Sequence, residues 1–181
     1  MNQAPTTATT NAHTLRQAEL RDVGVIVQLI RELAEFGQLL HLVQVTPEKL
    51  RPQLFSEKPA AEAWVAEVGG EVVGFALFYT NFSTFLAQPG LYLEDLYVQP
   101  AHRGSGIGEA LLTRLARLAV ERNCGRFEWS VLDWNEPAIR FYQRMGAMVM
   151  PEWRICRLAG EALQELGGGA SAAPVVGTRS R

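Results

Sequence analysis

Three glycines fall within five residues, Gly104, Gly106 and Gly108, in the stretch Gln99-Pro100-Ala101-His102-Arg103-Gly104-Ser105-Gly106-Ile107-Gly108. An apolar run at 91–98 precedes them. Ile107, Leu111, Leu115 and Leu118 follow at the spacing of one helix face. A strand, a glycine-rich turn and a long helix are therefore joined in one unit. Such a turn can curl with its N–H groups inward, and the helix adds its positive N-terminal end. Together they suit an anion, a diphosphate in particular. Arg103 would add a fixed positive charge beside it. The plain alternative is a connection that needs glycine only for its angles.

Two common nucleotide turns do not fit. A dinucleotide fingerprint needs a third glycine three residues after the second, and position 109 is Glu109. Glu128 falls about where a ribose-binding acid would stand, but no βαβ unit opens the chain. A Walker loop fails because no Lys-Ser or Lys-Thr follows.

Composition narrows the rest. The 181 residues are 48% hydrophobic and 20% charged, the balance of an ordinary globular protein. One folded body over 13–166 is expected, between tails at 1–12 and 167–181 that are too poor in large apolar groups to order themselves. With 17 basic and 19 acidic residues the formal net charge is -2, so nucleic acid is not an expected partner. Cys124 and Cys156 lie far apart, with no CxxC spacing. No metal is expected, and reduced thiols suit a cytoplasmic protein. No apolar run approaches the ~20 residues of a membrane span, and the N-terminus lacks the features of a secretory signal.

Periodicity predicts a strand at 13–18 and a helix after Asp22, its N-cap, with Val23, Ile26, Val27, Ile30, Leu33 and Ala34 on one stripe. A short helix at 46–55 has Thr46 as N-cap and Pro47 in its first position. Strands at 63–68 and 71–79 form a hairpin around Gly69-Gly70. Further strands are expected at 91–98 and 127–132. A helix at 135–145 would be capped by Asn135, carry Pro137 in its first turn and stop at Gly146. A last strand at 147–158 closes a mixed α/β sheet.

The motif Arg103-x-x-Gly106-x-Gly108 resembles the GNAT superfamily of N-acetyltransferases. Leu91-Tyr92-Leu93-Glu94-Asp95-Leu96-Tyr97-Val98 before it, and Trp134-Asn135-Glu136-Pro137-Ala138-Ile139-Arg140-Phe141-Tyr142 after it, resemble the diamine (spermidine/spermine) and thialysine branch. So does Arg31-Glu32-Leu33-Ala34. The resemblance implies an α+β fold with a largely antiparallel central sheet and helices on both faces. It implies acetyl-CoA as acetyl donor, with CoA as product, and direct transfer to an amine in a ternary complex. The turn, Arg103, Gly104, Ser105, Gly106, Ile107, Gly108 and Glu109, would bind the donor. Main-chain groups of Leu96, Tyr97 and Val98 would hold the pantetheine arm, the N–H near Leu96 polarising the thioester carbonyl. Asn135, Glu136, Pro137, Ala138 and Tyr142 would contact the same molecule. Arg31, Glu32, Glu94, Asp95 and Trp134 would surround the amine.

A primary amine arrives charged, with a pKa near ~10.4, and must lose a proton before it attacks. Glu94 and Asp95 interrupt an otherwise apolar strand, where carboxylates are costly unless paired or used. From spacing alone, one of them could simply face solvent while the other caps a loop. The resemblance favours Glu94 as base, through a water, with Asp95 orienting the ammonium. A phenol near ~10 can protonate a leaving thiolate, and Tyr142 lies one helical turn after Ala138. Without the motif, Tyr142 could be one more buried aromatic. Phe141 is expected in the core.

The acidic segment that the diamine branch carries after its Glu-Leu-Ala helix end reads Glu35-Phe36-Gly37-Gln38-Leu39-Leu40-His41-Leu42 here. The loop expected at 80–85 also lacks an aspartate. A small or more apolar primary amine is therefore expected, such as a diamine or a thialysine-like amino acid, rather than a long polycation. The alternatives are a protein or peptide amine as acceptor, or a non-catalytic acyl-CoA-binding domain. The resemblance also implies a homodimer, joined through the last strand.

Overall fold

The computed structural model describes residues 12–168, so most of both expected tails lies outside the described residues. The elements are β1 (His13–Gln17), α1 (Val23–Phe36), α2 (Pro47–Phe55), β2 (Glu62–Val68), β3 (Glu71–Ser83), β4 (Gln88–Val98), α3 (Ile107–Glu121), β5 (Arg126–Trp129), α4 (Glu136–Arg144) and α5 (Gly160–Leu166). The chain divides into two compact units, one running to Arg140 and the other from Phe141.

The first unit is built on a sheet of order β1-β2-β3-β4-β5, antiparallel except for the parallel β4–β5 pair. Gly69 and Gly70 turn the β2–β3 hairpin with φ of 61° and 88°, the left-handed geometry such tight turns need. Side chains alternate between faces along each strand. Val65, Phe75 and Tyr97 align across the sheet and bury against Ile26 and Leu29 of α1. Trp64 and Ala76 align on the other face, where Arg114 of α3 stacks over the Trp64 ring at 4.5 Å. Helices therefore cover both faces. Phe75, Phe78, Ile26, Leu29, Ile107, Leu111 and Leu115 are among the fully buried side chains.

Thr46 caps α2 as expected, its hydroxyl accepting from the Lys49 N–H at 3.4 Å. Asp22 stands at the N-cap of α1 but does not cap it. Its carboxylate accepts two hydrogen bonds from Arg16, at 2.6 and 2.8 Å, and one from the Glu19 N–H at 2.7 Å. A guanidinium next to a buried carboxylate outcompetes a helix N–H. The expected 80–85 loop is also corrected: β3 runs on to Ser83, its last residues pairing with β4.

In the second unit the expected strand at 147–158 is absent. Residues 147–159 belong to no helix or strand. A strand exists only when a neighbour completes its hydrogen bonds, and no other strand of the described residues pairs with this segment. Its apolar side chains stay in the open: Met148 is 87% exposed, Trp153 69% and Ile155 71%. The short α5 that follows was not expected. Gly146, at φ 91°, ends α4 as expected.

Candidate active site

The site begins with an irregularity in β4. Leu77 lies opposite Asp95 and Phe78 opposite Leu93, so Glu94 is an extra residue with no partner on β3. This β-bulge reverses the faces of the strand on either side of it. Asp95 is on the face covered by α1 and is half-buried, whereas Glu94 is exposed. Tyr92 lies opposite Tyr79 and Asp95 opposite Leu77, both on one face of β3, so the register brings Glu94 to the side of Asp95 and corrects the expectation of one carboxylate on each face.

The bulge coincides with the end of a ladder. β5 pairs with β4 only at Gly90, Leu91, Tyr92 and Leu93, and among the described residues no strand continues beside the rest of β4. The Gln99 N–H donates to the Val73 carbonyl at 2.9 Å, which fixes the parity of the remaining stretch. Alternate residues of an antiparallel strand turn their main-chain groups to the same neighbour. Tyr97 and Asp95 therefore address β3, and Leu96 and Val98 direct theirs into the opening left by β5.

The turn stands at the far end of that opening. Gly104 and Gly106 have φ of 76° and 85°, conformations a side chain strongly disfavours. A Cβ at either position would meet nothing within 4 Å, so backbone angle rather than crowding calls for glycine there. Gly106 is the N-cap of α3 and supplies no side-chain cap. The first N–H groups of this 15-residue helix are left for another acceptor. Ser105 turns its hydroxyl back to the His102 carbonyl at 2.6 Å. Ile107 is buried, so only its main chain can serve a ligand. Glu109 lies in the first turn of α3, and Gly108 is helical. The Arg103 side chain has partners of its own. Its Nε donates to the Val98 carbonyl at 2.9 Å, and its guanidinium lies over the rings of Phe36, at 5.2 Å, and Tyr97, at 5.4 Å.

The residues expected around the amine separate into groups. Glu94 and Asp95 share the bulge. Tyr79 and Tyr92 pair beside them, ring centroids 5.2 Å apart, and the Tyr92 hydroxyl is 2.8 Å from that of Ser130. Burial first, then the Glu94 charge, raises the Tyr79 phenol. Glu32 is engaged further along β4: Gln99 donates to its two oxygens at 3.2 and 3.3 Å, and Gln28 donates at 2.9 Å. Its charge raises the Tyr97 phenol, second only to burial. Arg31 is exposed. Trp134 packs on Phe36, centroids 6.1 Å apart. Sequence patterning did not single out Tyr79, Tyr92, Ser130 or Gln99 for the site. Tyrosines opposite each other on neighbouring strands are visible only once the register is known.

Asn135 caps α4, its Oδ1 accepting from the Ala138 N–H at 3.3 Å. Glu136 pairs with Arg140 at 3.3 Å, and Pro137 sits in the first turn. In the second unit, Phe141 and Tyr142 stack with centroids 5.3 Å apart. Neither is fully buried, so the core role expected for Phe141 is not observed; α4 has one face in solvent and no fully buried residue. Burial pushes the Tyr142 phenol up to about 12. Among the described residues no cluster of His, Cys, Asp and Glu could hold a metal ion, and no helix is long and apolar enough to cross a membrane.

Comparison with known proteins agrees with this architecture. The Acetyltransferase (GNAT) family matches residues 21–147. The chain is 40% identical over 165 residues to a thialysine N-epsilon-acetyltransferase of Mus musculus, covering 85% of this chain and 96% of that one. It is 34% identical to an L-ornithine N5-acetyltransferase of Arabidopsis thaliana, covering 84% and 86%. A solved integron cassette protein from V. cholerae superposes with a TM-score of 0.72 at 26% identity, covering 86% and 97%. The chain belongs to the GNAT family and is an acetyltransferase.

Proposed function

We propose that this enzyme transfers the acetyl group of acetyl-CoA directly to a primary amine of a small molecule, within a ternary complex. The observation that carries the proposal is the coincidence of three features on β4: the Glu94 bulge, the end of the β5 ladder, and the main-chain groups of Leu96 and Val98 turned into the opening. The curated relatives that act on thialysine and ornithine, both small amino acids with a side-chain amine, support this acceptor class.

Acetyl-CoA would supply an acetyl group activated as a thioester. The main chain of 104–109 and the uncapped start of α3 suit its diphosphate. Leu96, Tyr97 and Val98 would line the arm, and Asn135, Glu136, Pro137 and Ala138 would contact the same molecule. The Leu96 N–H would donate to the thioester oxygen, where charge develops during transfer. Glu94 and Asp95 receive the acceptor's ammonium. Glu94, exposed on the bulge, takes a proton through water, and Asp95 orients the nitrogen beneath it. Tyr142 protonates the departing thiolate. With its phenol raised to about 12, it holds that proton throughout the neutral range.

Acceptor size follows from the end of α1 and the segment after it. Glu32 is tied to Gln99, and the segment after α1 presents Leu40 and Leu42, 45% and 58% exposed, where a polycation would need charge. A short amine with one ammonium at the bulge fits best. We also propose a homodimer, because the open apolar residues of 147–158 suit a second copy. Thiol release from acetyl-CoA with a panel of amines tests the proposal, and a chain that releases no CoA with any amine would refute it.

A further inference from the structure

The Arg103 side chain is turned back onto the protein. Its Nε bond to the Val98 carbonyl holds it against β4, and its guanidinium lies within 5.4 Å of two ring centroids. One ring, Tyr97, belongs to the same strand face as Asp95, two residues away. The other, Phe36, is the last residue of α1. Phe36 in turn touches Trp134, the residue before the Asn135 cap of α4. Trp134, Phe36, Arg103 and Tyr97 therefore form one continuous stack. It joins the glycine turn to the end of the helix that carries Arg31 and Glu32.

From this stack we infer that Arg103 is a positioning residue. It acts through Phe36 to fix the acceptor side of the site once the turn is set, and its side chain is not a ligand of the diphosphate. A cation held over aromatic rings with one donor already committed to a carbonyl is a strap between elements. The turn can bind its anion through main-chain N–H groups alone, so the side chain is available for this second task. Filling the turn and closing the acceptor side are thereby coupled, because both share Arg103.

The inference rests on the turn being the acetyl-CoA site, and the experiment separates the two. CoA affinity is measured by calorimetry, and the KM of the best amine by thiol release, for Arg103→Ala, Arg103→Lys, Phe36→Leu, Phe36→Tyr and the Arg103→Ala/Phe36→Leu double variant. Arg103→Ala and Phe36→Leu should each lower amine kcat/KM about 3- to 30-fold, mainly through KM. CoA affinity should stay within about twofold in both. Phe36→Tyr should restore the amine KM, Arg103→Lys should not, and the double variant should be no worse than either single one. If Arg103→Ala instead weakens CoA binding tenfold or more while Phe36→Leu changes neither constant, Arg103 is a phosphate ligand and the inference fails. A wild-type chain that does not bind CoA would overturn the acetyl-CoA reading itself.

Discussion

Asp95 lies beside Glu94 at the β4 bulge, and burial followed by the Glu94 charge pushes its carboxyl up to about 6 from 3.8. A raised carboxyl pKa means that the folded protein binds this proton more tightly than the unfolded chain does. The folded state therefore carries no penalty from Asp95 below about pH 4, and it acquires one as pH rises through about 6. Asp95→Asn should stabilise the protein at pH 8, by an amount on the order of 2–3 kcal/mol at most, and the gain should vanish near pH 4. Urea unfolding at the two pH values measures this. An equal effect at both would remove Asp95 as the titrating group.

The same pair sets the pH dependence of activity. Asp95 must be ionised to hold an ammonium, so kcat/KM should fall below about pH 6 in the wild type. Glu94→Gln removes the neighbouring charge, so any residual activity should show an acid limb displaced to lower pH. If Glu94 is the base, kcat falls about 10²-fold or more as well. A pH–rate profile of the variant separates the two effects.

Tyr142→Phe should lower kcat about 10²-fold with little loss of CoA affinity. Because burial holds the phenol near 12, the wild type should show no alkaline loss of activity from this group below about pH 10. Stopped-flow turnover together with CoA calorimetry tests both points.

Arg16, Asp22 and Glu67 tie β1, the start of α1 and β2 together, with contacts of 2.6 Å from Arg16 to each acid. The Arg16 hydrogen bonds lower the pKa of Asp22, whose side chain is 5% exposed. A lowered pKa gives stability that is present above the ordinary carboxylate range and lost as pH falls through the folded value. Asp22→Ala should cost about 3 kcal/mol at pH 7, and the cost should shrink as pH falls below the ordinary carboxylate range. Chemical denaturation at both values checks it.

Much of this was legible in the sequence, for physical reasons. The glycine turn declared itself because Gly104 and Gly106 need positive φ. The α4 cap and stop were visible because Asn135 and Gly146 act locally. The bulge at Glu94 was not visible, since a register shift depends on the partner strand. Asp22 reads as a cap until Arg16 is seen six residues upstream in sequence and adjacent in space. The expected strand at 147–158 failed because its apolar pattern says nothing about whether a neighbour exists.

That segment gives a further test. With Trp153 and Ile155 exposed, a second copy should cover them. Light scattering should report a dimer for the wild type, and Trp153→Glu/Ile155→Glu should shift it to monomer. A monomeric wild type would remove the homodimer from the account.

The most direct measurement of the central claim is CoA thiol release, matched against N-acetylated product, with thialysine, ornithine, putrescine, spermidine, spermine, aminoglycosides and short peptides. Stoichiometric release and acetylation are expected with at least one short amine, at a kcat/KM above that for spermine. No release with any amine, or a spermine kcat/KM well above that for every short amine, would contradict it.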